Sequence, residues 1–359
     1  MKCMFAFGRD PELSLLELES WLKNRKIRHK FLETSKSLAI VSLPRMDFKR
    51  VISQLGGTTK IAEILENKDY YSGEKSKIKY AISDHGHRDI VGLKKKVKSS
   101  LKALGLKAML KTPRKSNILD PSESLRVAKS GFELLAYKDY VGKVIAISNP
   151  RSYGERDEAK PRKRREQAIS IRLAKILINI AAKPNDNVLD PFCGYGVILQ
   201  EAMLLGHNAI GVDNNAQCIK ASQKNLEWMK KKFRLDSEFK LIHGDSRKLS
   251  SLVKKAGCMA TEPHLGPVLK GLPGKQFALK VTKDLARLYS GVLKEAAKVV
   301  KGKIVIIVPR FRLHTNERIG IDFQKLLNEA GLRPVSKDIP IIYTAPKSRM
   351  EREIWVISG

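Results

Sequence analysis

The stretch Asn187–Asn215, NVLDPFCGYGVILQEAMLLGHNAIGVDNN, decides the fold of the region around it. Residues 187–189 form a short apolar run, which predicts a buried parallel strand. Gly194 and Gly196 follow and predict a sharp turn, because glycine adopts backbone conformations that other residues avoid and leaves the main chain open to a ligand. A strand followed by such a turn is typical of proteins that bind a nucleotide or a nucleoside.

A helix and a second strand complete this unit. Residues 197–205 carry apolar side chains at helical spacing and end at Gly206, a favourable helix C-cap. The helix therefore points its N-terminus at the glycine turn. Residues 208–212 predict the next strand, and Asp213 follows at its carboxyl end, where a carboxylate can accept both ribose hydroxyls of a nucleoside.

Three interpretations of the glycine turn are open. A dinucleotide site is one, but Leu199 stands where the third glycine of GxGxxG would allow close approach of a pyrophosphate. A second is an S-adenosylmethionine site, because DPFCGYG followed by Glu201 resembles motif I of class I methyltransferases, in the form common among enzymes that methylate exocyclic amines of bases. The third is a fold of this class without a cofactor. The residues favour the second interpretation.

Composition points to a polyanionic partner. The chain has 359 residues, enough for two or three domains, and 69 Lys+Arg against 37 Asp+Glu give a formal charge of +32. Such an excess favours nucleic acid. No segment approaches the roughly 18 apolar residues of a spanning helix, and the N-terminus does not resemble a signal peptide. We therefore expect a cytoplasmic protein without a membrane partner.

The cysteines and histidines predict neither disulfides nor a metal site. The four cysteines show no CxxC pair and no metal-ligand spacing with the seven histidines. We expect reduced thiols in an intracellular protein and no bound metal. Cys193 lies inside the glycine turn, where a packing role is favoured over a role as a wall of the pocket.

Two small α+β modules are predicted in the N-terminal half. In the first, residues 1–65, strands are expected at Lys2–Gly8 and Ser37–Leu43, and residues 48–65 are expected to be largely helical. The second covers residues 66–150. Its expected strands are residues 77–83, 107–111, 124–128, 132–136 and 143–148.

The second module also has a basic amphipathic helix at residues 90–104. This helix carries Lys94, Lys95 and Lys98, which are candidates for contact with RNA phosphates; a merely solvated face is the alternative. A polar linker, residues 151–168, follows. It contains Lys160, Arg162, Lys163, Arg164 and Arg165. We interpret this basic run as a hinge that binds phosphates rather than as a nuclear localisation signal.

The remaining residues, 169–359, predict a doubly wound α/β domain. A helix is expected at 169–182, and further strands are expected at residues 239–243, 257–260, 304–308 and 353–357. Gly244, Asp245 and Ser246 follow the first of these strands.

The loop after residue 260 is the candidate catalytic site. Its sequence, TEPHLGP, aligns loosely with the D/N/S-P-P-aromatic signature of amino-methyltransferases. In that signature a polar group and a carbonyl accept hydrogen bonds from the amine, and a ring stacks on the base. Thr261 takes the polar position, Glu262 replaces the first proline, Pro263 keeps the second, and His264 stands for the aromatic residue. A proline-bearing loop without a catalytic role is the alternative.

Over nearly its whole length the chain resembles the THUMP-containing tRNA guanosine N2-methyltransferases, in particular the archaeal and eukaryotic enzymes that act at guanosine 10 of tRNA. DPFCGYG, GVDNN, GDS and the linker NPRSYGERDEAKPRKRRE carry the resemblance. It implies an α/β, Rossmann-like class I methyltransferase domain at 169–359. Before this domain it implies an α+β ferredoxin-like domain at 1–65, a THUMP-like RNA-binding domain at 66–150 and the basic linker.

The resemblance also implies a site, a cofactor and partners. S-adenosylmethionine is the implied cofactor, with Asp190, Gly194 and Gly196 at its methionine end, Asp213 at the ribose, and Asp245 and Ser246 near the adenine. The full cofactor-binding set is Asp190, Pro191, Phe192, Cys193, Gly194, Gly196, Asp213, Asn214, Asp245 and Ser246. The implied partners are tRNA and, as in some relatives, a small activator subunit.

The chain departs from this family in one place, because the family usually has DPPYG where this chain has TEPHLGP. Two other function classes therefore stay open. One is a non-catalytic RNA-binding protein on a methyltransferase scaffold, and the other is an amino-methyltransferase that acts on another RNA or on DNA.

Overall fold

The protein folds into two compact units, Met1–Gly154 and Glu155–Gly359. Each is built around one β-sheet. The computed structural model describes residues 1–66, 69–114, 116–163, 169–344 and 348–359.

The first part of the N-terminal unit has the order βαββαβ. Its elements are β1 Lys2–Phe7, α1 Pro11–Asn24, β2 Lys30–Thr34, β3 Leu38–Ser42, α2 Phe48–Gln54 and β4 Thr58–Ile64. The four strands are antiparallel, in the order β2-β3-β1-β4. The predicted helix at residues 48–65 is wrong beyond Gln54. Residues 58–64 carry β-branched side chains that pair with β1, and this pairing outweighs their helical spacing.

The second part of this unit continues the same sheet. Its elements are β5 Lys77–His87, α3 Ile90–Ala103, β6 Lys107–Lys111, α4 Pro121–Ala128, β7 Gly131–Lys138 and β8 Tyr140–Ile147. Strand β8 pairs with β4, which gives one eight-stranded sheet. The predicted strand at residues 124–128 is wrong, because this segment lies in α4. Asp120 and Glu123 form a capping box there, and Pro121 occupies the first turn, so the local sequence starts a helix.

A buried ion pair joins the two parts of this sheet. The Lys60 ammonium lies 2.5 Å from the Glu133 carboxylate and donates to the Leu119 carbonyl at 2.7 Å. Lys60 is 1% exposed and Glu133 is 2% exposed, so each buried charge is stabilised by the other rather than by water. Removing one partner of such a pair typically destabilises a protein by about 3 to 5 kcal/mol.

The linker begins as a helix. Residues 151–159 form α5, which has no buried residue within it. The C-terminal unit continues with α6 Ile171–Ala181, β9 Asn187–Asp190, α7 Val197–Leu204, β10 Asn208–Asp213, α8 Ala216–Phe233, β11 Phe239–His243, a 3₁₀ turn Ser246–Lys248, α9 Leu249–Leu252 and β12 Cys258–Thr261. The last elements are α10 Lys275–Val299, β13 Ile304–Arg312, β14 Arg318–Gly320, α11 Phe323–Glu329, β15 Arg333–Pro334, β16 Ile341–Tyr343 and β17 Met350–Ser358.

The sheet of this unit is Rossmann-like. Its main order is β11-β10-β9-β12-β13-β17-β15, with β14 paired to β13 and β16 paired to β17. Strands β11, β10, β9, β12 and β13 are parallel, whereas β17 runs antiparallel to β13. The predicted strands of this domain are confirmed, with ends that differ by a few residues.

Two long helices, α8 and α10, complete the layers beside this sheet; they were not predicted. Within the described residues, no helix is both long and apolar enough to cross a membrane.

Candidate active site

A cleft of about 600 Å³ opens at the carboxyl ends of β9, β10, β11 and β12. These ends lie along one edge because the four strands are parallel, which is where ligands bind in open α/β sheets. Roughly 300 to 1,000 Å³ is typical of small-molecule sites. The cleft is lined by Ile169, Asp190, Phe192, Cys193, Gly194, Tyr195, Val197, Ile198, Asp213, Asn214, Asn215, Cys218, Asp245, Ser246, Arg247, Glu262, Pro263, His264, Leu265, Leu288, Met350 and Arg352.

The turn after β9 requires its glycines. Gly194 and Gly196 have φ angles of 51° and 79°, in the left-handed region. At Gly196 a Cβ would also lie 2.4 Å from the Ser222 hydroxyl oxygen, so a side chain there would be strained and would require Ser222 to move. The turn therefore brings bare backbone to the cleft, as the sequence predicted.

Asp213 holds this turn against the tip of β10. One carboxylate oxygen accepts the Gly194 N–H at 2.9 Å, and the other accepts the Asn215 N–H at 2.9 Å. Asn215 in turn caps the N-terminus of α8. A carboxylate oxygen has more than one lone pair, so Asp213 can still accept hydrogen bonds from a ligand in the cleft.

Asp190 is buried at the inner end of the cleft. It is 2% exposed and accepts hydrogen bonds from the Thr261 hydroxyl at 2.6 Å and the Phe192 N–H at 3.1 Å. Burial raises the pKa of Asp190 to about 7, although both hydrogen bonds lower it. The carboxyl group therefore changes charge near neutral pH.

The loop after β12 is tethered from two sides. The Glu262 carboxylate forms an ion pair with Arg352 of β17, with 2.9 Å between Oε1 and Nε. The buried Tyr289 of α10 donates its hydroxyl to the His264 carbonyl at 2.7 Å. Burial raises the pKa of Glu262, and the neighbouring Arg352 lowers it. The imidazole of His264 is exposed at the cleft.

The structure corrects the role predicted for Thr261. This residue is fully buried and does not line the cleft. Its hydroxyl donates to Asp190, so it is not an acceptor aimed at a substrate amine. Glu262, Pro263 and His264 do line the cleft.

The outer end of the cleft lies after β11. The Asp245 carboxylate pairs with Arg247, with 2.6 Å between Oδ2 and Nη2, and this hydrogen bond lowers the pKa of Asp245. The Ser246 hydroxyl donates to the Pro191 carbonyl and thereby fixes the start of the glycine turn. Pro191 itself is not among the residues that line the cleft, and Cys193 packs into a core cluster with Leu199 and Met203.

The predicted phosphate contacts divide into three groups. Lys94, Lys95 and Lys98 are exposed on α3, and Arg162 and Lys163 are exposed in the linker. Lys160 is buried beside Asp157, so its ammonium is not presented to solvent. Arg164 and Arg165 lie outside the described residues.

Side chains of the C-terminal unit hold the linker. Asn225 of α8 accepts from the Arg162 N–H at 2.9 Å and donates to the carbonyls of Arg162 and Tyr195, each at 3.0 Å. Arg156 of α5 forms an ion pair with the buried Glu201 of α7, at 2.8 Å. The linker therefore contacts the glycine turn through Asn225.

Sequence reasoning missed Arg352, Tyr289 and Asn225. Each acts on a partner far away in the chain; the Arg352–Glu262 separation is 90 residues. One indirect signal existed for Arg352, since a buried carboxylate such as Glu262 needs either hydrogen-bond donors or a cation nearby.

Comparisons with known proteins find similarity to nucleic-acid methyltransferases. A profile of the DNA methylase family matches residues 65–224, and a profile of the RMKL-like methyltransferase domain matches residues 160–317. The tRNA (guanine(10)-N2)-dimethyltransferase of Methanothermobacter thermautotrophicus is 26% identical over 267 residues, which cover 71% of this chain and 75% of the relative. A protein of the same name from Methanocaldococcus jannaschii is 28% identical over 172 residues, 46% of each chain.

Solved structures show the same fold. TrmN from Thermus thermophilus superposes with a TM-score of 0.53 at 14% identity, over 100% of both chains. A possible methylase from Clostridium difficile gives a TM-score of 0.52 at 14% identity, over 100% of this chain and 98% of the other.

The raised pKa of Asp190 predicts a pH-dependent stability. Between the ordinary aspartate pKa of about 3.9 and about 7, the folded protein keeps a proton that the unfolded chain has lost, so the free energy of unfolding falls as pH rises. The contribution is at most about 1.4 kcal/mol per pH unit. Chemical denaturation from pH 5 to 8 should show that the free energy of unfolding declines less steeply for Asp190→Asn than for the wild type. The exposed Asp236→Asn is the control, and equal slopes for all three proteins would contradict the assignment.

Proposed function

We propose that the chain is an S-adenosylmethionine-dependent tRNA methyltransferase that acts on the exocyclic N2 amine of a guanosine. The observation that carries the proposal is the cleft in which the Asp190–Thr261 hydrogen bond joins the glycine turn to the Glu262–His264 loop. The curated relatives, named for guanine 10 of tRNA, support both the reaction and the substrate.

The residues along the cleft fit S-adenosylmethionine. Asp213 presents a carboxylate for the ribose hydroxyls, and the backbone at Gly194 and Gly196 leaves room for the methionine portion. Asp190 can balance the positive charge of the methionine end once it is ionised. Asp245 and Ser246 lie at the end assigned to the adenine. The bound cofactor supplies the methyl group.

The loop after β12 positions the substrate amine. Glu262 accepts a hydrogen bond from the amine, which fixes the direction of the nitrogen lone pair. The exposed His264 ring provides a face on which the extracted base stacks. Tyr289 and Arg352 hold these two residues in place, so positioning supplies much of the catalysis.

The N-terminal unit captures the tRNA in this proposal. Residues 1–65 have the βαββαβ order of a ferredoxin-like domain, and we assign residues 66–150 to a THUMP-like domain. The exposed lysines of α3 contact phosphates. Position 10 is the proposed target because the relatives are named for it.

A DNA amino-methyltransferase is the second candidate. It is favoured by the DNA methylase profile and by the type II methyltransferase of Enterobacter cloacae, which is 28% identical over 125 residues. That match covers 32% of this chain and 26% of the relative, so it concerns a part of each protein.

The direct test is methyl transfer from tritiated S-adenosylmethionine to an unmodified tRNA transcript. We expect incorporation into tRNA and none into duplex DNA, and mass spectrometry of the digested RNA should show N2-methylated guanosine. A transcript with adenosine at position 10 is the matched control. Incorporation into DNA alone would favour the second candidate, and cofactor binding without transfer to either would favour a scaffold that only binds RNA.

Asp213→Ala should weaken S-adenosylmethionine binding at least about tenfold, which corresponds to about 1.4 kcal/mol. The physical reason is the loss of a charged acceptor for two ribose hydroxyls, together with the loss of the Gly194 tether. Calorimetry on the intact chain measures this. Asp213→Asn keeps one acceptor oxygen and should lie between the two, whereas the exposed Asp236→Ala should bind as the wild type does. Equal affinity for wild type and Asp213→Ala would remove this residue from the cofactor site.

Replacing Lys94, Lys95 and Lys98 together by alanine should weaken tRNA binding. Each lost phosphate contact should also flatten the plot of log affinity against log salt by about 0.7 to 0.9. Fluorescence anisotropy over a salt series gives both quantities. The matched control removes the same charge from α8 by changing Lys220, Lys224 and Lys231, which are exposed. If only the α8 variant lost affinity and slope, tRNA capture would belong to the C-terminal unit.

A further inference from the structure

The Glu262–Arg352 ion pair lies where the substrate base would sit in the proposed function. Both side chains line the cleft, and they are 8% and 16% exposed, respectively. The contact joins Oε1 of the carboxylate to Nε of the guanidinium at 2.9 Å. An acceptor and a donor thus lie side by side at the wall of the cleft.

Each member of this pair can form more hydrogen bonds than the single contact between them uses. A guanidinium has five N–H donors in a plane, and a carboxylate has two oxygens with about four lone-pair positions. Bringing two charges out of water is also costly, and a hydrophobic pair is often as stable as a buried ion pair. A structural role alone would therefore be filled equally well by apolar side chains.

Guanine has a base edge that matches this arrangement. Along its Watson–Crick edge it carries the O6 acceptor, the N1–H donor and the N2 amine donor. A carboxylate can accept from N1–H and from the amine, while an adjacent guanidinium donates to O6. In 2,6-diaminopurine the N2 amine is kept, but position 6 becomes a donor and N1 becomes an acceptor.

We propose that Glu262 and Arg352 act together as the specificity determinant for guanine, with Arg352 donating to O6 and Glu262 accepting from N1–H and N2–H. The inference rests on the proposed function and adds the groups that read the base. It assigns a role in recognition to Arg352, a residue outside the loop that carries the methyltransferase signature.

The geometry around the pair supports this role. Arg352 pairs in register with Pro309 on the antiparallel strand β13, so its backbone is fixed within the sheet. Glu262 directly follows Thr261, which is anchored to Asp190. Arg352 therefore stands on a strand, and Glu262 lies one residue beyond an anchored strand end, as a site that discriminates between bases requires. The cation beside Glu262 also opposes the rise of its pKa on burial and favours the ionised, accepting form.

The experiment compares two tRNAs that differ at one nucleoside. Ligated transcripts carry either guanosine or 2,6-diaminopurine ribonucleoside at the methylated position, and kcat/KM for methyl transfer is measured on the full-length protein. Both bases offer an N2 amine, so the comparison isolates recognition of the rest of the edge. We expect wild type to prefer guanosine by at least about 100-fold, because a buried donor that meets another donor is left unpaired.

Arg352→Gln should lower kcat/KM for guanosine about 10-fold to 100-fold and change the diaminopurine value little, so the preference should fall by the same factor, and the part that Glu262 reads at N1 should remain. Arg352→Lys, which keeps the charge and a donor, should recover part of the lost preference. The matched control is Arg318→Gln, which removes an arginine from an ion pair with Glu351 on the same sheet, away from the residues that line the cleft. Its preference should equal that of wild type.

The possible outcomes distinguish a failure of this inference from a failure of the proposed methyltransferase function. A wild type that methylates guanosine and diaminopurine equally overturns the inference whether or not any variant folds. An Arg352→Gln variant that loses the same factor on both substrates also overturns it and shows that Arg352 only positions the loop. If wild type binds S-adenosylmethionine but methylates neither tRNA, the proposed function fails and the inference fails with it.

Discussion

The hydrogen bond between Thr261 and Asp190 is the interaction on which the candidate site depends. It joins the ends of β9 and β12, which are neighbours in the sheet, through an oxygen–oxygen distance of 2.6 Å. The glycine turn begins directly after Asp190, and the loop after β12 begins directly after Thr261. The bond therefore fixes the two sides of the cleft relative to each other. Burial disfavours the ionised form of Asp190 and raises its pKa. The Thr261 hydroxyl opposes this effect, because it supplies the buried carboxyl group with a hydrogen bond in place of water.

The other polar side chains at the cleft serve mainly to hold main-chain segments. Asp213 accepts from the glycine turn, Ser246 donates to its first carbonyl, and Asn225 donates to the carbonyl of Tyr195. Tyr289 does the same for the carbonyl of His264. These contacts satisfy backbone groups that are partly or fully buried. They also fix the geometry before a ligand arrives, which is the condition for catalysis by positioning.

The sequence predicted those parts of the structure whose determinants are local. The glycine turn, the acid at the tip of β10 and the helix between them lie in one continuous stretch, so spacing alone identified them. Features decided by tertiary contacts were missed. Residues 58–64 became a strand because β1 was available as a partner. The orientation of Thr261 depends on Asp190, a residue 71 positions earlier.

The direction of β17 explains how Arg352 reaches the loop after β12. The last residues of the parallel strands lie at the cleft, whereas an antiparallel strand has its first residues there. Met350 and Arg352 line the cleft, and Glu351 between them faces the other side, where it contacts Arg310 and Arg318. This alternation follows from the two-residue period of a strand. A one-residue shift of β17 would therefore place a second carboxylate beside Glu262 in place of the arginine. The pairing of Glu262 with a cation thus depends on the register between β13 and β17. A substitution that removes the charge of either member leaves the other charge without its partner.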